Sequence, residues 1–239
     1  MLNSFPSISD NLKTVFEKVK SAAEKSGRNF SDITILAASK TRSAEEILEA
    51  YNSGIKVFGE NYVQEFLQKF ESLNRYKNVN LSWHIIGHLQ KNKVKYIIGA
   101  ADLIHSVDSF ALAKIIDKHS VLKNTVTNIL IEVNLAGEKT KNGITIDETH
   151  NLVREINKLR GLNLRGLMAM PPMGKDNRIY FRSLRELLLD INIKNIYKKN
   201  LSVLSMGTSD DFEAAVEEGA TIIRLGTLIF GSRRSKLII

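Results

Sequence analysis

The sequence of 239 residues contains no cysteine. Disulfides, thiolate zinc sites, iron–sulfur clusters and cysteine nucleophiles are therefore excluded, and we expect a protein of the reducing cytoplasm. Proline is scarce, with three residues beside 14 glycines, and no Pro-, Gly- or Ser-rich linker interrupts the chain. We therefore predict one domain over residues 1–239.

Long hydrophobic runs are also absent. No stretch approaches the roughly 18 consecutive apolar residues of a membrane-spanning helix, and the first residues do not have the pattern of a signal peptide. The hydrophobic fraction of 43% and the charged fraction of 25% are ordinary for a globular protein. Such a composition is too apolar for a disordered chain.

Basic residues outnumber acidic ones, 34 to 26, which gives a net charge of +8. This balance raises nucleic acids and acidic membranes as partners. However, most of the basic residues are interspersed with acids, and the densest cluster, Arg233, Arg234 and Lys236, lies in a C-terminal tail of the kind that is often merely solvated. We expect neither a nucleic-acid nor a membrane partner. A basic nucleic-acid binder, or a barrel that binds another phosphate-bearing ligand, stays as an alternative.

Eight short apolar runs rich in β-branched residues alternate with segments of helical periodicity. The runs cover residues 33–39, 57–59, 82–87, 103–107, 128–134, 164–170, 201–206 and 221–225. Continuously apolar strands are typical of a parallel sheet that is buried on both faces. Eight βα units in this length predict an α/β fold, a single (β/α)₈ TIM barrel, with an extra N-terminal helix over residues 8–25. An open doubly wound sheet is the alternative, but it would leave two edges to protect.

The residues that close each strand are the candidates for function, because TIM barrels place their chemistry at the carboxyl ends of the strands. Lys40 closes the first strand. Partial desolvation there would lower the pKa of its ammonium group, as imine chemistry requires. The alternative is a structural lysine that extends its amine into solvent.

The loops after the seventh and eighth strands contain glycines and hydroxyl groups. Gly207 and Ser209 follow the seventh strand, and Gly226 and Thr227 follow the eighth. These two loops bind phosphate in many TIM barrels. The alternative is a pair of ordinary turns, with Ser209 as a helix N-cap. The acidic neighbours Asp210 and Asp211 argue against a bound anion.

Several polar residues inside or beside apolar strands have two interpretations. Arg224 must face the barrel mouth, where it could donate to a ring nitrogen without losing its proton, or form a structural ion pair. Asn61 is a helix cap or a ligand contact. His84 and His88 lack a third metal ligand and helical spacing, so we predict no metal site. His105 and Asp108, at the end of the fourth strand, favour a core histidine and a helix cap.

Six segments occur in the order and spacing of a known family. They are ASKTRSAEEI, FGENYVQE, WHIIGHLQKNK, LRGLMAMPPM, SMGTSDDFEAA and RLGTLIFGSR, and they extend over nearly the whole chain. The sequence resembles the pyridoxal-phosphate homeostasis protein family, which is related to the N-terminal barrel of alanine racemase. This resemblance implies a (β/α)₈ barrel that binds pyridoxal 5′-phosphate.

The resemblance also assigns roles to individual residues. Lys40 would form the internal aldimine, and Arg224 would face the pyridine nitrogen. The phosphate would be bound by Ser209, Gly226 and Thr227, with Met206 and Gly207 lining that loop, and Asn61 and His84 would lie near the cofactor. Ser43 and Thr208 differ from the residues common in the family, but neither position removes a predicted contact.

The function implied by these residues is the reversible binding of pyridoxal phosphate without robust catalysis. An arginine beside the pyridine nitrogen leaves it unprotonated, which weakens the ring as an electron sink. Racemisation needs a second base, which alanine racemases take from a C-terminal domain, and this chain ends at Ile239. We expect a monomeric carrier that limits free aldehyde in vitamin B6 homeostasis and could pass it to apo-enzymes. The alternative is a pyridoxal-phosphate-dependent amino-acid racemase or lyase.

Overall fold

Eight parallel strands close into a barrel in the computed structural model, which describes residues 6–76, 78–138, 141–172 and 176–232. The strands are β1 (Thr34–Ala38), β2 (Val57–Glu60), β3 (Ser82–Ile85), β4 (Leu103–Val107), β5 (Thr127–Val133), β6 (Leu162–Ala169), β7 (Val203–Ser205) and β8 (Ile222–Leu225). Each strand pairs with the next in sequence, and β8 closes the barrel on β1 from Thr34 opposite Ile222 to Ala37 opposite Leu225. The closed sheet leaves no edge strand unpaired.

Helices surround the barrel. They are α1 (Ile8–Lys25), α2 (Ala44–Asn52), α3 (Val63–Leu73), α4 (Val94–Ile97), α5 (Phe110–Leu122), α6 (Ile146–Ile156), α7 (Arg178–Ile193), α8 (Phe212–Glu217) and α9 (Thr227–Phe230). Helix α1 precedes the first strand and packs against α8 and α9. Its first turn is capped by Ser7, whose hydroxyl accepts the Asp10 N–H at 3.1 Å.

Two hydrophobic clusters form the core. The larger lies between the sheet and the helices and includes Trp83, Phe58 and Phe66, all almost fully buried. The smaller consists of Leu36, Leu103, Leu130, Met168 and Ile222, which come from five strands. Alternate residues of a strand face opposite sides of the sheet, so this smaller cluster fills the interior of the barrel.

The predicted fold is confirmed: all eight apolar runs are strands of one closed barrel, with an additional N-terminal helix. The starts of two helices differ from the sequence-based expectation. Helix α8 begins at Phe212 instead of near Ser209, and α4 is a single turn preceded by a 3₁₀ turn over Lys91–Lys93. Before α8, the Asp211 carboxylate accepts from the N–H of Thr208 at 2.6 Å, a local side-chain contact that competes with helical hydrogen bonds.

Within the described residues, no helix is both long and apolar enough to cross a membrane. Two other predictions are not tested by the described residues. The basic cluster Arg233, Arg234 and Lys236 lies outside the described residues. The assignment of residues 1–239 to one domain stays a prediction.

Candidate functional site

Lys40 lies at the carboxyl end of β1, at the mouth of the barrel. Leu36 and Ala38 of this strand both contact the interior cluster, and Lys40 follows two residues later, in a turn that the Arg42 N–H closes on the Ser39 carbonyl at 3.0 Å. Its side chain is partly exposed and forms no hydrogen bond or ion pair with any residue that the structure describes. The amine is therefore available to a ligand at the mouth.

The backbone on both sides of Lys40 is held by helix α3. Lys69 donates from Nζ to the carbonyl oxygen of Ser39 at 2.7 Å. On the other side, the N–H of Thr41 donates to Oε1 of Glu65. Thr41 has a φ of +66°, a left-handed conformation that a β-branched residue rarely adopts without such support. These two contacts fix the position of the Lys40 backbone.

Lys69 is buried and bound by two carboxylates. Its Nζ lies 2.8 Å from Oε1 of Glu60 and 2.6 Å from Oε1 of Glu65. The hydroxyl of Ser39 also donates to Oε1 of Glu60 at 2.7 Å. Burial raises the pKa of Glu60, and the opposing effect of Lys69 is smaller. This cluster was missed at the sequence level, where the i, i+4 spacing of Glu65 and Lys69 resembled a surface pair.

Arg224 lies in β8, opposite Leu36 of β1, and is buried. Its Nη1 donates to the Ser205 hydroxyl at 2.6 Å. Its Nη2 donates to the Ala169 carbonyl at 2.9 Å and lies 2.9 Å from the sulfur of Met170. Among the described residues it forms no ion pair, so the structural ion pair considered for this position is not found there. Its Nε–H has no partner in the described part of the chain, so that donor can bind a ligand.

Two acidic residues influence the pKa of Arg224 without contacting it. Burial lowers the pKa of the guanidinium to about 10, while Glu132 and Asp211 raise it. Glu132 is buried in β5, and burial, with a smaller contribution from Asp108, raises its pKa to about 7. Glu132 was also missed, although an acidic residue inside an apolar run gives the same signal that singled out Arg224.

The loop after β7 turns at Gly207, which has a φ of +90°. A Cβ atom there would lie 2.5 Å from the Cβ of Ala215, so only glycine fits this position without displacement. The carbonyl of Gly207 accepts the N–H of Arg224 at 3.0 Å. Met206, just before it, is fully buried and accordingly belongs to the core.

The loops after β7 and β8 meet each other and the end of β1. The Gly226 N–H donates to the Ser209 hydroxyl at 3.4 Å. Gly226 lies so close to β1 that a Cβ on it would be 3.6 Å from the Ala38 carbonyl. Thr227 follows directly and begins α9. The candidate phosphate residues of both loops are thus neighbours, next to β1, the strand that precedes Lys40.

Asp211, the second of the two acidic residues after Ser209, has a structural role. Oδ1 of Asp211 accepts from the Thr208 N–H at 2.6 Å, and its Oδ2 accepts from the Asn177 amide at 2.6 Å. Asp211, not Ser209, occupies the N-cap position of α8. The alternative role of Ser209 as a helix cap is therefore not found, because α8 begins only at Phe212. The Ser209 hydroxyl instead points to Gly226.

Asn61 lies between β2 and α3 but is not the helix cap, which is Tyr62. Its backbone lies against Gly87, where a Cβ would be 2.5 Å from the Asn61 carbonyl oxygen. His84 is buried in β3, and its Nδ1 lies 2.9 Å from Nε2 of His105. Contacts of Asn61 and His84 with a cofactor stay predictions.

Both buried histidines are neutral. Burial lowers the pKa of His84 to about 4 and that of His105 well below its ordinary range. In the described ranges, no group of three His, Cys, Asp or Glu side chains is arranged to hold a metal ion. His88 lies 3.6 Å from Asp108 at the surface. Ser109, not Asp108, caps α5, so the expected cap is displaced by one residue.

Comparison with known proteins gives consistent matches over nearly the whole chain. Residues 11–234 match the family described as alanine racemase, N-terminal domain. A protein of Aquifex aeolicus named pyridoxal phosphate homeostasis protein is 46% identical over 228 residues, which cover 94% of this chain and 98% of the relative. A protein of the same name from Escherichia coli is 37% identical over 227 residues, 95% of this chain and 97% of the relative.

Solved structures agree with these matches. PipY of Synechococcus elongatus, solved with pyridoxal phosphate bound, superposes with a TM-score of 0.83 at 30% identity, over 94% of this chain and all of PipY. An alanine racemase of Clostridium difficile shares the fold with a TM-score of 0.72 at 13% identity, and the match covers 95% of this chain and 61% of the racemase. The chain therefore belongs to the pyridoxal phosphate homeostasis protein family, built on the barrel of the alanine racemase N-terminal domain.

Proposed function

We propose that the protein binds pyridoxal 5′-phosphate reversibly at the barrel mouth, through a covalent bond to Lys40, and acts as a carrier in vitamin B6 homeostasis. The observation that carries the proposal is Arg224: a buried cation without an acidic partner among the described residues, with an open Nε–H donor, close to the loops that meet the end of β1. The names of the relatives and the ligand of PipY support the same assignment.

The mouth has a suitable group for each part of this ligand. Lys40 offers a free amine for the aldehyde. Arg224 offers a permanent donor for the pyridine nitrogen. Ser209, Gly226 and Thr227 offer hydroxyl and backbone N–H groups for the phosphate, in the loops that bind phosphate in other barrels. Gly207 lets the chain turn closely beside Met206, and Asn61 belongs to the predicted set. The contact predicted for His84 would have to be indirect, because its ring nitrogens face His105 and Ser82.

Arg224 also favours binding over catalysis. When bound, pyridoxal phosphate supplies an aldehyde and an aromatic ring that can withdraw electrons, most strongly when its nitrogen is protonated. A guanidinium does not give up its proton, so Arg224 donates a hydrogen bond and leaves that nitrogen unprotonated. We accordingly propose a protein without robust turnover. Transfer of the cofactor to apo-enzymes, a monomeric state and a cytoplasmic location stay predictions.

Trapping with borohydride tests the covalent bond. The full-length protein is incubated with pyridoxal phosphate, reduced and analysed by peptide mass spectrometry. We expect one pyridoxyl addition on the peptide that contains Lys40, and its loss in Lys40→Ala. Lys118→Ala, which removes an exposed lysine of α5, is the matched control and should be labelled as the wild type is. An unmodified Lys40 peptide in the wild-type protein would overturn the proposal.

Isotope exchange separates a carrier from an enzyme. The protein loaded with cofactor is incubated in deuterated water with a panel of amino acids, and α-proton exchange is followed by NMR. We expect no exchange above that of free pyridoxal phosphate. Rapid exchange that is lost in Lys40→Ala would favour the racemase or lyase alternative.

A further inference from the structure

A row of polar side chains crosses the barrel interior behind Arg224. We call it the polar chain, and its members in order are Arg224, Ser205, His105, His84, Ser82 and Asp102. Ser205 and His105 are completely buried, and His84 is nearly so. The row extends from the mouth to the start of β3 and the residue before β4, at the opposite end of the barrel.

The distances link every neighbouring pair. The Ser205 hydroxyl lies 2.6 Å from Nη1 of Arg224 and 2.9 Å from Nδ1 of His105. Nε2 of His105 lies 2.9 Å from Nδ1 of His84. The next link, from Nε2 of His84 to the Ser82 hydroxyl, is longer at 3.5 Å, and Ser82 then donates to Asp102 at 2.9 Å.

The charge at the mouth fixes the direction of every hydrogen. Arginine only donates, so the Ser205 hydroxyl accepts from Arg224. Nδ1 of His105 is the one other partner of this hydroxyl among the described residues, so the Ser205 hydrogen is donated there. His105 accepts that hydrogen at Nδ1. Because this ring is neutral, its single N–H is at Nε2 and donates to His84. By the same argument His84 has its N–H at Nε2, which faces Ser82 and, beyond it, the carboxylate of Asp102.

We propose that Ser205, His105 and His84 are positioning residues that hold Arg224 as a fully charged donor at the barrel mouth, through hydrogen bonds that all point from Arg224 toward Asp102. A carboxylate in place of Ser205 would also orient the guanidinium, but it would offset its charge. The neutral chain orients Arg224 and leaves the charge for the ligand. The role toward pyridoxal phosphate rests on the proposed function, whereas the arrangement of hydrogens does not.

Nitrogen NMR of the ligand-free protein, labelled at its histidine rings, tests the arrangement of hydrogens directly. We expect His84 and His105 both to be neutral with the proton on Nε2 at neutral pH. The more exposed His88, His119 and His150 provide the comparison within the same spectrum. A proton on Nδ1 of either buried ring, or a charged ring, would overturn the proposed direction of the chain.

The variant Ser205→Ala tests the coupling to the ligand. We expect His84 and His105 to become mixtures of tautomers and the affinity for pyridoxal phosphate to fall about tenfold, the effect of one hydrogen bond to a charged group. Ser120→Ala is the matched control, because Ser120 is also a buried hydroxyl, 2.6 Å from that of Thr127, but lies on α5. We expect this control to leave the tautomers and the affinity unchanged.

The outcomes separate the two proposals. If the wild-type protein binds pyridoxal phosphate and Ser205→Ala keeps both its affinity and its histidine tautomers, the positioning role is wrong and the carrier function stands. If the wild-type protein does not bind pyridoxal phosphate at all, the carrier function is wrong, and the histidine spectrum alone then decides whether the directed chain exists.

Discussion

Strands β1, β5 and β6 fill the barrel interior with apolar side chains such as Leu36 and Leu130, whereas β3 and β7 contribute the polar chain, with His84 and Ser205. Strands β4 and β8 supply residues to both, and Val203 of β7 also packs against the apolar cluster. The apolar side of the interior is held by hydrophobic packing, which, unlike hydrogen bonding, does not require a particular orientation of two groups. The polar side is stable only if each buried donor meets an acceptor. The two sides should therefore respond differently to substitution and to pH.

The largest expected effect is on the apolar side. Leu130→Ala removes a fully buried side chain from the interior cluster and should lower the free energy of unfolding by about 4 kcal/mol through lost burial and a residual cavity. Urea denaturation measures this change. Leu122→Ala, at an exposed leucine of α5, is the control and should have little effect. If Leu130→Ala cost no more than the control, the cluster would not hold the barrel together.

The next effect is the pH dependence that His84 contributes. Its pKa is about 4 in the folded protein and near 6.5 in the unfolded chain, so the unfolded state binds more protons between these values. Stability should therefore be lost as the pH falls from 6.5 toward 4, by about 3 kcal/mol for this group. Unfolding measured against pH should show a smaller loss in His84→Gln than in the wild type. His119→Gln, on α5, is the control substitution, and equal slopes in His84→Gln and the wild type would contradict a neutral His84.

Glu132 should contribute a pH dependence of stability that is opposite in sign to that of His84. Its pKa is raised from 4.5 to about 7, so the folded state binds more protons in this interval and stability falls as the pH rises through it. Glu132→Gln removes that loss and should stabilise the protein above pH 7 by about 2 kcal/mol, less than the full shift because the amide is itself a buried polar group. Thermal unfolding at pH 5 and pH 8 measures the difference. A variant that is less stable than the wild type at pH 8 would disprove the raised pKa.

The smallest effect concerns the loops beyond the barrel interior. Ser209→Ala combined with Thr227→Ala removes two hydroxyl groups from turns without opening the core, so the fold should be unchanged. We expect about fivefold weaker binding of pyridoxal phosphate, with the remaining affinity supplied by backbone N–H groups. Ser202→Ala, at an exposed serine just before β7, is the control. Unchanged affinity in the double variant would mean that the hydroxyl groups are not needed.

Much of the fold could be predicted because its signal is local. A strand buried on both faces must be apolar throughout, and eight such runs separated by amphipathic helices leave few topologies. The boundaries were less accurate where polar residues decide them, as at Ser209 and Asp211. The residue at which a helix begins depends on tertiary contacts. The Asp211 carboxylate, at the N-cap position of α8, accepts from Asn177, 34 residues away, and not from the first turn of the helix.

The candidate site was predictable where a residue contradicts its local environment. Lys40 and Arg224 interrupt or close apolar strands, and such charges require an explanation. Lys69 gave no such signal, since a lysine four residues after a glutamate on an amphipathic helix is ordinary. Ser205 was hidden for another reason: a serine in a strand is unremarkable until its partners are known.

The sequence alone determined the alternation of strands and helices, the motifs of the family and the charged residues at the strand ends, because each depends on neighbours along the chain. Only the tertiary structure decided that Ser205 joins Arg224 to His105 and that Lys69 holds the backbone beside Lys40. These contacts join residues up to 100 positions apart. Closure of the barrel creates them, because it places the side chains of distant strands within hydrogen-bond distance of one another.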